Sequence, residues 1–513
     1  MIENNYIKEK PGPANPVWKA LGEQTNPSRW SGEQWPAFAA SLNGNGVRVH
    51  EGRQDTSVFV SDAGGLALGM PHGVVRSSSA EDISTVLKAA QLYGVPVTTR
   101  GGGLTTEGES VAFGGLLLDM SSMNRVLNVD PAGMTVRTEA GIYWHQLAES
   151  LRRDGLDYLS APLNLTASVG GTLGVGGIDI NSPRLGCSAD QCVGLKVVTP
   201  TGEIVECSER ENPDLMERTL LGYGQFGVIA EATQKIRRFT PITMQYYYYS
   251  SLRTAMEDLK FIAHEDAADY SGILTIMDKA INLLVAFDSE AREKEFRLRW
   301  RRHLRGHGEA NFGFRMAGHY LPRPWKYSEA AYLLGRRLTL FPEFSRPEYM
   351  HDNKIVDRTV VFSRAVWKFW GGSKMVIPDL AASQEKFIEA VERGNEVCRR
   401  YFKHYTLYCV GIKLSGRRER YEMSCIPPDA RDIAFGCEFE PMLRDTHYSR
   451  DYLQSFKNDI YDIGVDMGLS YYRFGGMMKG YIRKVFGDEL VDKHLAMKKE
   501  ADPAMILNRD VIF

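Results

Sequence analysis

The sequence predicts an α+β fold: a mixed α/β region over the N-terminal half, followed by a second domain built on an antiparallel sheet flanked by helices. Three observations predict it. Strand and helix signals alternate from about His72 to Arg238, Pro241 marks a change to longer strands separated by long helical stretches, and three glycine-rich segments recur in the first region.

The first seventy residues, rich in Pro, Asn, Gly and Trp, read as an irregular arm with short helices. Val74-Val75-Arg76 then reads as a strand. Ser79-Ala80-Glu81-Asp82 is a capping-box pattern that opens a helix with apolar positions Ile83, Val86, Leu87 and Ala90. Further strands are expected at Val95–Thr98, Gly115–Asp119 and Met134–Glu139, with a helix from about Trp144 to Arg153. Leu195–Val198 and Glu203–Glu206 flank Thr199-Pro200-Thr201-Gly202, a hairpin signal. Beyond Pro241, strands are expected at Met244–Tyr249, Ile273–Met277, Ile281–Phe287 and Thr406–Lys413, a helix over Ala381–Tyr401, and a last helix over Asp488–Glu500 that Asp502-Pro503 must stop.

Composition narrows the function classes. The chain has 513 residues, 25% of them charged, and a formal net charge of −2. No global field favours nucleic acid or an anionic membrane, so neither is expected as a partner. The N-terminus lacks a basic stretch before an apolar core, and no later run approaches the roughly 20 apolar residues of a membrane span. A cytoplasmic protein is the expectation. Seven cysteines without a CxxC pair read as reduced structural thiols, with no metal site.

The glycine-rich segments carry the chemistry. Arg100-Gly101-Gly102-Gly103-Leu104-Thr105-Thr106-Glu107-Gly108 follows a strand, so its bare backbone N–H groups can converge on a pyrophosphate, although a flexible turn would read the same way. It is not a GxGxxG opening a helix, which disfavours a nicotinamide site. Ser168 to Ile178 holds five glycines, a density that suits a flat ring pressed on main chain. Gly222 to Ile229 is either the third contact or a tight turn before a core strand.

Together these segments resemble the FAD-linked oxidase family, whose PCMH-type flavin domain is shared by vanillyl-alcohol oxidase, cytokinin dehydrogenase and berberine-bridge-type enzymes. Val169-Gly170-Gly171-Thr172-Leu173, the stretch from Leu195 to Val205, and Gly224-Gln225-Phe226-Gly227-Val228-Ile229 look most like cytokinin dehydrogenases. The resemblance implies a two-lobed PCMH-type FAD-binding domain over residues 71–240, preceded by an arm over 1–70, a substrate-binding cap over 241–460, and a C-terminal segment, 461–513, that returns to the FAD domain. By position it places Thr99, Arg100, Gly101, Gly102, Gly103, Leu104, Thr105 and Gly108 near the diphosphate. Ser168, Val169, Gly170, Gly171, Thr172, Gly174 and Ile178 fall near the diphosphate and ring, and Gly227, Val228 and Ile229 near the pyrimidine or adenine end. Asn508, in the terminal Asp-Pro segment, would approach the flavin.

Departures from the family pattern matter as much. Leu104 stands where many relatives carry the histidine that bonds to flavin, and residues 163–167 offer no thiol, so FAD is expected to be noncovalent. Leu163 stands where cytokinin dehydrogenases carry a catalytic aspartate, and an apolar side chain cannot act as a base. Asn164 beside it would either bond a substrate or form a turn. Tyr472 and Arg473 look like the Tyr-Arg element that holds a phenolate in vanillyl-alcohol and eugenol oxidases, though Arg473 would equally pair with a carboxylate.

These features imply hydride transfer to flavin N5 from a small aromatic or heteroaromatic alcohol, amine or alkylphenol, with dioxygen or another electron acceptor completing turnover and a homodimer as the assembly. The other readings are a flavin-retaining cyclase or isomerase, or a flavin-binding protein without turnover. The tyrosines of Tyr246–Tyr249 and the cluster Trp367, Phe369 and Trp370 read as core or as the roof of a planar substrate. The basic run Arg297–Arg305 reads as a solvated helix or a subunit contact, and His72, His145 and His404 as isolated residues without a catalytic role.

Overall fold

The computed structural model describes residues 30–240, 242–276, 280–309, 375–403, 405–414, 423–424, 426–441, 448–509 and 511–512, and the statements that follow concern these. Three sheets organise them.

The first is small and parallel, in the order β1 (Gly73–Arg76), β3 (Leu116–Asp119), β2 (Val97–Arg100). Helix α1 (Trp35–Gly44) and helix α2 (Ala80–Tyr93) cover it. The start of α2 follows from its sequence: Ser79 accepts the Asp82 N–H at 3.1 Å, an N-cap worth about 1 kcal/mol. Its expected apolar stripe of Ile83, Val86, Leu87 and Ala90 is fully buried.

The second sheet is antiparallel. It runs β4 (Val126–Asp130), β5 (Thr135–Glu139), β9 (Val228–Arg238), β7 (Cys192–Val198), β8 (Ile204–Ser208), with β6 (Leu156–Tyr158) also on β9. The hairpin expected around Thr199–Gly202 is the β7–β8 pair. Helix α3 (Trp144–Arg152) packs Trp144, Leu147, Ala148 and Leu151 into this layer's core.

The third sheet has seven antiparallel strands in the order β13 (His307–Glu309), β10 (Thr243–Tyr249), β12 (Ala280–Phe287), β11 (Tyr270–Ile276), β15 (Tyr405–Lys413), β16 (Ile433–Pro441), β14 (Asp379–Ser383). Helices α5 (Leu252–His264), α6 (Phe387–Tyr401) and α7 (Arg450–Met467) contribute to the core on one face. Between the second sheet's strands lies the short helix α4 (Val169–Val175).

One expectation is corrected. Ala381–Ser383 is not helical: these residues pair with Ala434–Gly436, and α6 begins only at Phe387, because a long-range ladder overrides the helical preference of alanine. Tyr247 and Tyr249 are core residues, bonded to Gln245 and Asp258. Residues 1–29, Met277, Trp367, Phe369, Trp370 and His404 lie outside the described residues. The basic run is ion-paired: Arg297 to Glu293 at 2.9 Å and Arg305 to Glu257 at 2.6 Å, with Arg299 over the Trp300 ring. The C-terminal helix α8 (Asp488–Ala501) ends as expected at Asp502, and the chain beyond it returns to β2, where Leu507 bridges Val97. Among the described residues no helix is long and apolar enough to cross a membrane.

Candidate functional site

The first two glycine segments meet edge to edge. A Cβ on Gly101 would lie 2.1 Å from the Ser168 Oγ, and one on Gly102 2.9 Å from the Thr166 carbonyl oxygen, so neither position tolerates a side chain without a shift. Gly103 adopts φ +67°, with the Arg100 guanidinium folded beneath it. Among the described residues, no carbonyl or side chain accepts from the N–H groups of Gly101, Gly102, Gly103 or Leu104. Four successive donors without a protein partner, on a loop kept bare by contact, fit a diphosphate.

Other members of this loop are already committed. Arg100 donates to the Ser61 and Ser110 carbonyls at 3.0 and 3.2 Å, so its side chain braces the loop from below. Thr105 Oγ1 and the Gly108 N–H donate to Asp62 at 3.0 and 2.9 Å, and burial pushes the Asp62 carboxyl up to about 6 against those bonds. The loop is further tied to α7 by the fully buried pair Lys457–Glu107 at 2.5 Å, with Tyr461 donating to the same carboxylate at 2.8 Å.

The second segment is α4 with its cap. Ser168 Oγ accepts the Gly171 N–H at 3.3 Å; Val169 is fully buried, Gly170 lies against Ala140, and Thr172 accepts from the Trp144 indole at 2.8 Å. Gly171 and Gly174 are one turn apart, and only the Ser168 hydroxyl crowds either of them, which leaves a strip of backbone open to a flat group. Ile178 packs towards Ile412 of β15.

The third segment turns through Leu221, Tyr223 and Gly224, all with positive φ, and joins α4 by the Tyr223 N–H on the Gly174 carbonyl at 2.9 Å. Val228 and Ile229 then enter the β7–β9 ladder opposite Val198 and Val197, and a Cβ on Gly227 just before it would meet Val197 at 2.4 Å. The side chains of Val228 and Ile229 are buried in the core. Asn508, itself at φ +46°, ties the parts together: its Oδ1 accepts the Thr99 N–H at 2.9 Å, its Nδ2 donates to the Gly224 carbonyl at 2.8 Å, and its own carbonyl accepts from Gln225 at 2.9 Å. Lys498, paired with Asp502 at 2.7 Å with both side chains fully buried, donates to the carbonyls of Gln225 and Leu507 and holds this knot.

Tyr472 joins the same region. Its hydroxyl accepts the Gly177 N–H at 3.2 Å and its carbonyl accepts from Tyr223 at 3.1 Å, so it touches the second and third segments at once. Arg473 takes the carboxylate pairing: Nη1 donates to Asp379 at 3.0 Å and Nη2 to Glu438. Asn164 accepts from the Thr166 N–H at 3.1 Å and its hydroxyl at 2.7 Å, the bonds of a turn, while Leu163 beside it is exposed.

Sequence reading missed the acids that face this region. Burial pushes Asp179 up to about 7. It does the same to Asp379, opposed by Arg473, and burial together with Glu438 pushes Glu440 up to about 8. A signal existed: Cys437-Glu438-Phe439-Glu440 alternates acid and apolar residues at the period of a strand, so both carboxylates fall on the face away from the helices. Among the described residues no group of His, Cys, Asp and Glu could hold a metal ion.

Residues 71–208 match the family model of an FAD binding domain. An uncharacterised oxidoreductase of the fasciation locus of Rhodococcoides fascians is 33% identical over 205 residues, 39% of this chain and 45% of that protein. The mitochondrial D-lactate dehydrogenase (cytochrome) of Arabidopsis thaliana is 34% identical over 178 residues, 34% of this chain and 31% of that protein. Cytokinin dehydrogenase 3 of Arabidopsis thaliana is 30% identical over 217 residues, 41% of this chain and 40% of that protein. The match thus spans under half the length of each of these relatives. The chain carries an FAD-binding domain, and its likenesses support an FAD-linked oxidoreductase family.

Proposed function

We propose that this protein is an FAD-dependent oxidoreductase acting on a small aromatic or heteroaromatic alcohol, amine or alkylphenol. The observation that carries the reading is the meeting of Gly101–Leu104, α4 and the Asn508 knot, which leaves four backbone donors without a partner among the described residues, beside an open strip of glycine backbone. When bound, FAD supplies a two-electron acceptor at N5, restored afterwards by dioxygen or another acceptor.

The chain's own residues supply position and polarity. The N–H groups of Gly101 to Leu104 would bind the diphosphate, Gly171 and Gly174 would let the ring lie on main chain, and Thr99 with Asn508 would hold the third segment in place. Tyr472, fixed by Gly177 and Tyr223, would orient the substrate, and Arg473 would act through the two carboxylates it holds. With Leu104 at the position of the tethering histidine, retention of FAD rests on these bonds and on burial, without a covalent link. A cytoplasmic location and a homodimer complete the reading; the six described cysteines are all buried, which suits structural thiols in a reducing compartment.

Anaerobic mixing with a panel of such substrates tests it. Bleaching of the oxidised flavin spectrum is the expected result. Product formed without bleaching would establish a cyclase or isomerase instead, and an unchanged spectrum without product would reduce the chain to a flavin-binding protein.

A further inference from the structure

The face of the seven-stranded sheet turned away from its helices carries a polar row. In register, Asp379 pairs with Glu438, Glu438 with Tyr408, Tyr408 with Leu274, and Leu274 with Asn282. Their neighbours Leu407, Cys409, Cys437 and Phe439 point the other way, into the apolar core. The segment after α4 lies against this sheet: the Ile180 carbonyl accepts the Ser271 N–H of β11 at 2.7 Å, and a Cβ on Gly272 would meet both Ile180 at 3.0 Å and the Tyr408 ring at 3.8 Å. Asp179 therefore stands two residues beyond the Gly177–Tyr472 contact, at the seam between the FAD-binding domain and the sheet.

Two atoms at this seam lack what burial demands. Asp179 Oδ1 and the Tyr408 hydroxyl are both shut off from solvent, and neither has a hydrogen-bond partner among the described residues. Leaving a buried polar group unsatisfied costs about 1–3 kcal/mol. Of the charges acting on the Tyr408 phenol, that of Asp179 is the largest, ahead of Glu438 beside it in the sheet. The charge of Asp179 acts on the phenols Tyr158 of β6, Tyr270 of β11 and Tyr408 of β15, and the guanidiniums beside the first two, Arg152 and Arg237, are paired with Asp157 at 3.0 Å and Asp288 at 3.5 Å. Arg473 is already shared by Asp379 and Glu438, and Glu440 adds a further carboxyl. Around Tyr408 the seam thus gathers Asp179, Asp379, Glu438 and Glu440 against the Arg473 guanidinium.

We propose that Asp179 and Tyr408 form the proton-accepting subsite for an uncharged alcohol or amine, and that substrates carrying a carboxylate are excluded. The proposal rests on the flavin reading above. In the oxidation of an H–C–X–H unit to C=X, where X is O or NH, the X–H proton passes to the Asp179 carboxylate. The X–H electron pair forms the new C=X bond, and the C–H pair leaves as hydride to bound FAD. Tyr408 donates its hydroxyl hydrogen to X and fixes its direction. Asp179 supplies the base that Leu163 cannot. The carboxylate-rich seam repels an anion such as a 2-hydroxy acid, so the likeness to a D-lactate dehydrogenase would extend to the cofactor and not to the substrate.

Benzyl alcohol, benzylamine and benzoate share a ring and differ in charge, which makes them the probes. FAD retention is measured first on the holoprotein, and each probe is then mixed anaerobically at pH 8, the concentration dependence of the rapid change in the flavin spectrum that precedes bleaching reporting binding. Wild type is expected to bind benzyl alcohol or benzylamine at least tenfold tighter than benzoate. Asp179→Asn, close to isosteric, is expected to narrow that ratio about tenfold, and Tyr408→Phe to weaken the alcohol about fivefold, both with FAD content unchanged. Benzoate bound as tightly as the alcohol and amine by wild type, or dissociation constants for all three probes that neither variant moves, would overturn the proposal. A wild-type protein that does not retain FAD would instead defeat the flavin reading itself.

Discussion

Replacing Gly101 with alanine probes the contact on which the diphosphate loop depends. The added Cβ would sit 2.1 Å from the Ser168 Oγ and 3.0 Å from its Cβ. The hydroxyl must rotate away, which gives up the cap on the Gly171 N–H, about 1 kcal/mol. Gly101 is not in the left-handed region, so alanine is allowed there and lowers unfolded-state entropy by about 0.4–1 kcal/mol. The two terms nearly cancel, and thermal stability of the apoprotein should barely move. Affinity should not escape, because the loop carrying the four free N–H donors is displaced; about 1 kcal/mol corresponds to a roughly fivefold weaker FAD complex. Ser168→Ala alone should cost the cap. In the double variant the alanine at 101 meets only the Cβ at 3.0 Å, so most of its penalty should vanish, giving a coupling energy of about 1 kcal/mol. FAD fluorescence titration of the four proteins measures this cycle. Wild-type affinity in Gly101→Ala, or additive losses in the double variant, would refute the reasoning.

Lys498→Met leaves Asp502 as an uncompensated buried charge and should destabilise by about 3–5 kcal/mol in chemical denaturation; a loss under about 1 kcal/mol would contradict the knot at the C-terminal segment. Burial raises Asp62 to about 6, Asp179 and Asp379 to about 7, and Glu109 and Glu440 to about 8. The folded chain therefore binds more protons than the unfolded chain between roughly pH 4 and 8, and stability should fall as pH rises through that window. Melting at pH 5.5 above melting at pH 8, with a smaller difference in Asp179→Asn, is the expected result, and a flat or reversed profile contradicts it. Acid precipitation should release the yellow chromophore into the supernatant; colour retained in the pellet would establish a covalent link.

Much of the fold was legible because it is written locally. Ser79 and Asp82 start α2, Thr199 to Gly202 turn a hairpin, and the glycines that keep two loops bare are visible as letters. What escaped is set by long-range pairing. Ala381-Ala382-Ser383 reads as helix until Ala434–Gly436 pairs with it, and Asp179 gives no signal until Tyr408, over two hundred positions away, comes within reach of its charge. Arg473 and Asn164 each had two sequence readings, and the partners they take in the fold, Asp379 and Glu438 for the first and Thr166 for the second, were not legible in the sequence. Asn508 was expected to approach the flavin. Its bonds to Thr99 and Gly224, which tie the loops around the site together, show only in the folded chain.

The visible spectrum of the purified chain, before and after a native FAD titration, tests the central claim most directly. A protein that shows the bands of oxidised flavin, or gains them at one FAD per chain, is the expected result. A colourless protein that refuses FAD under native conditions would mean that the free N–H groups of Gly101 to Leu104 serve some other ligand.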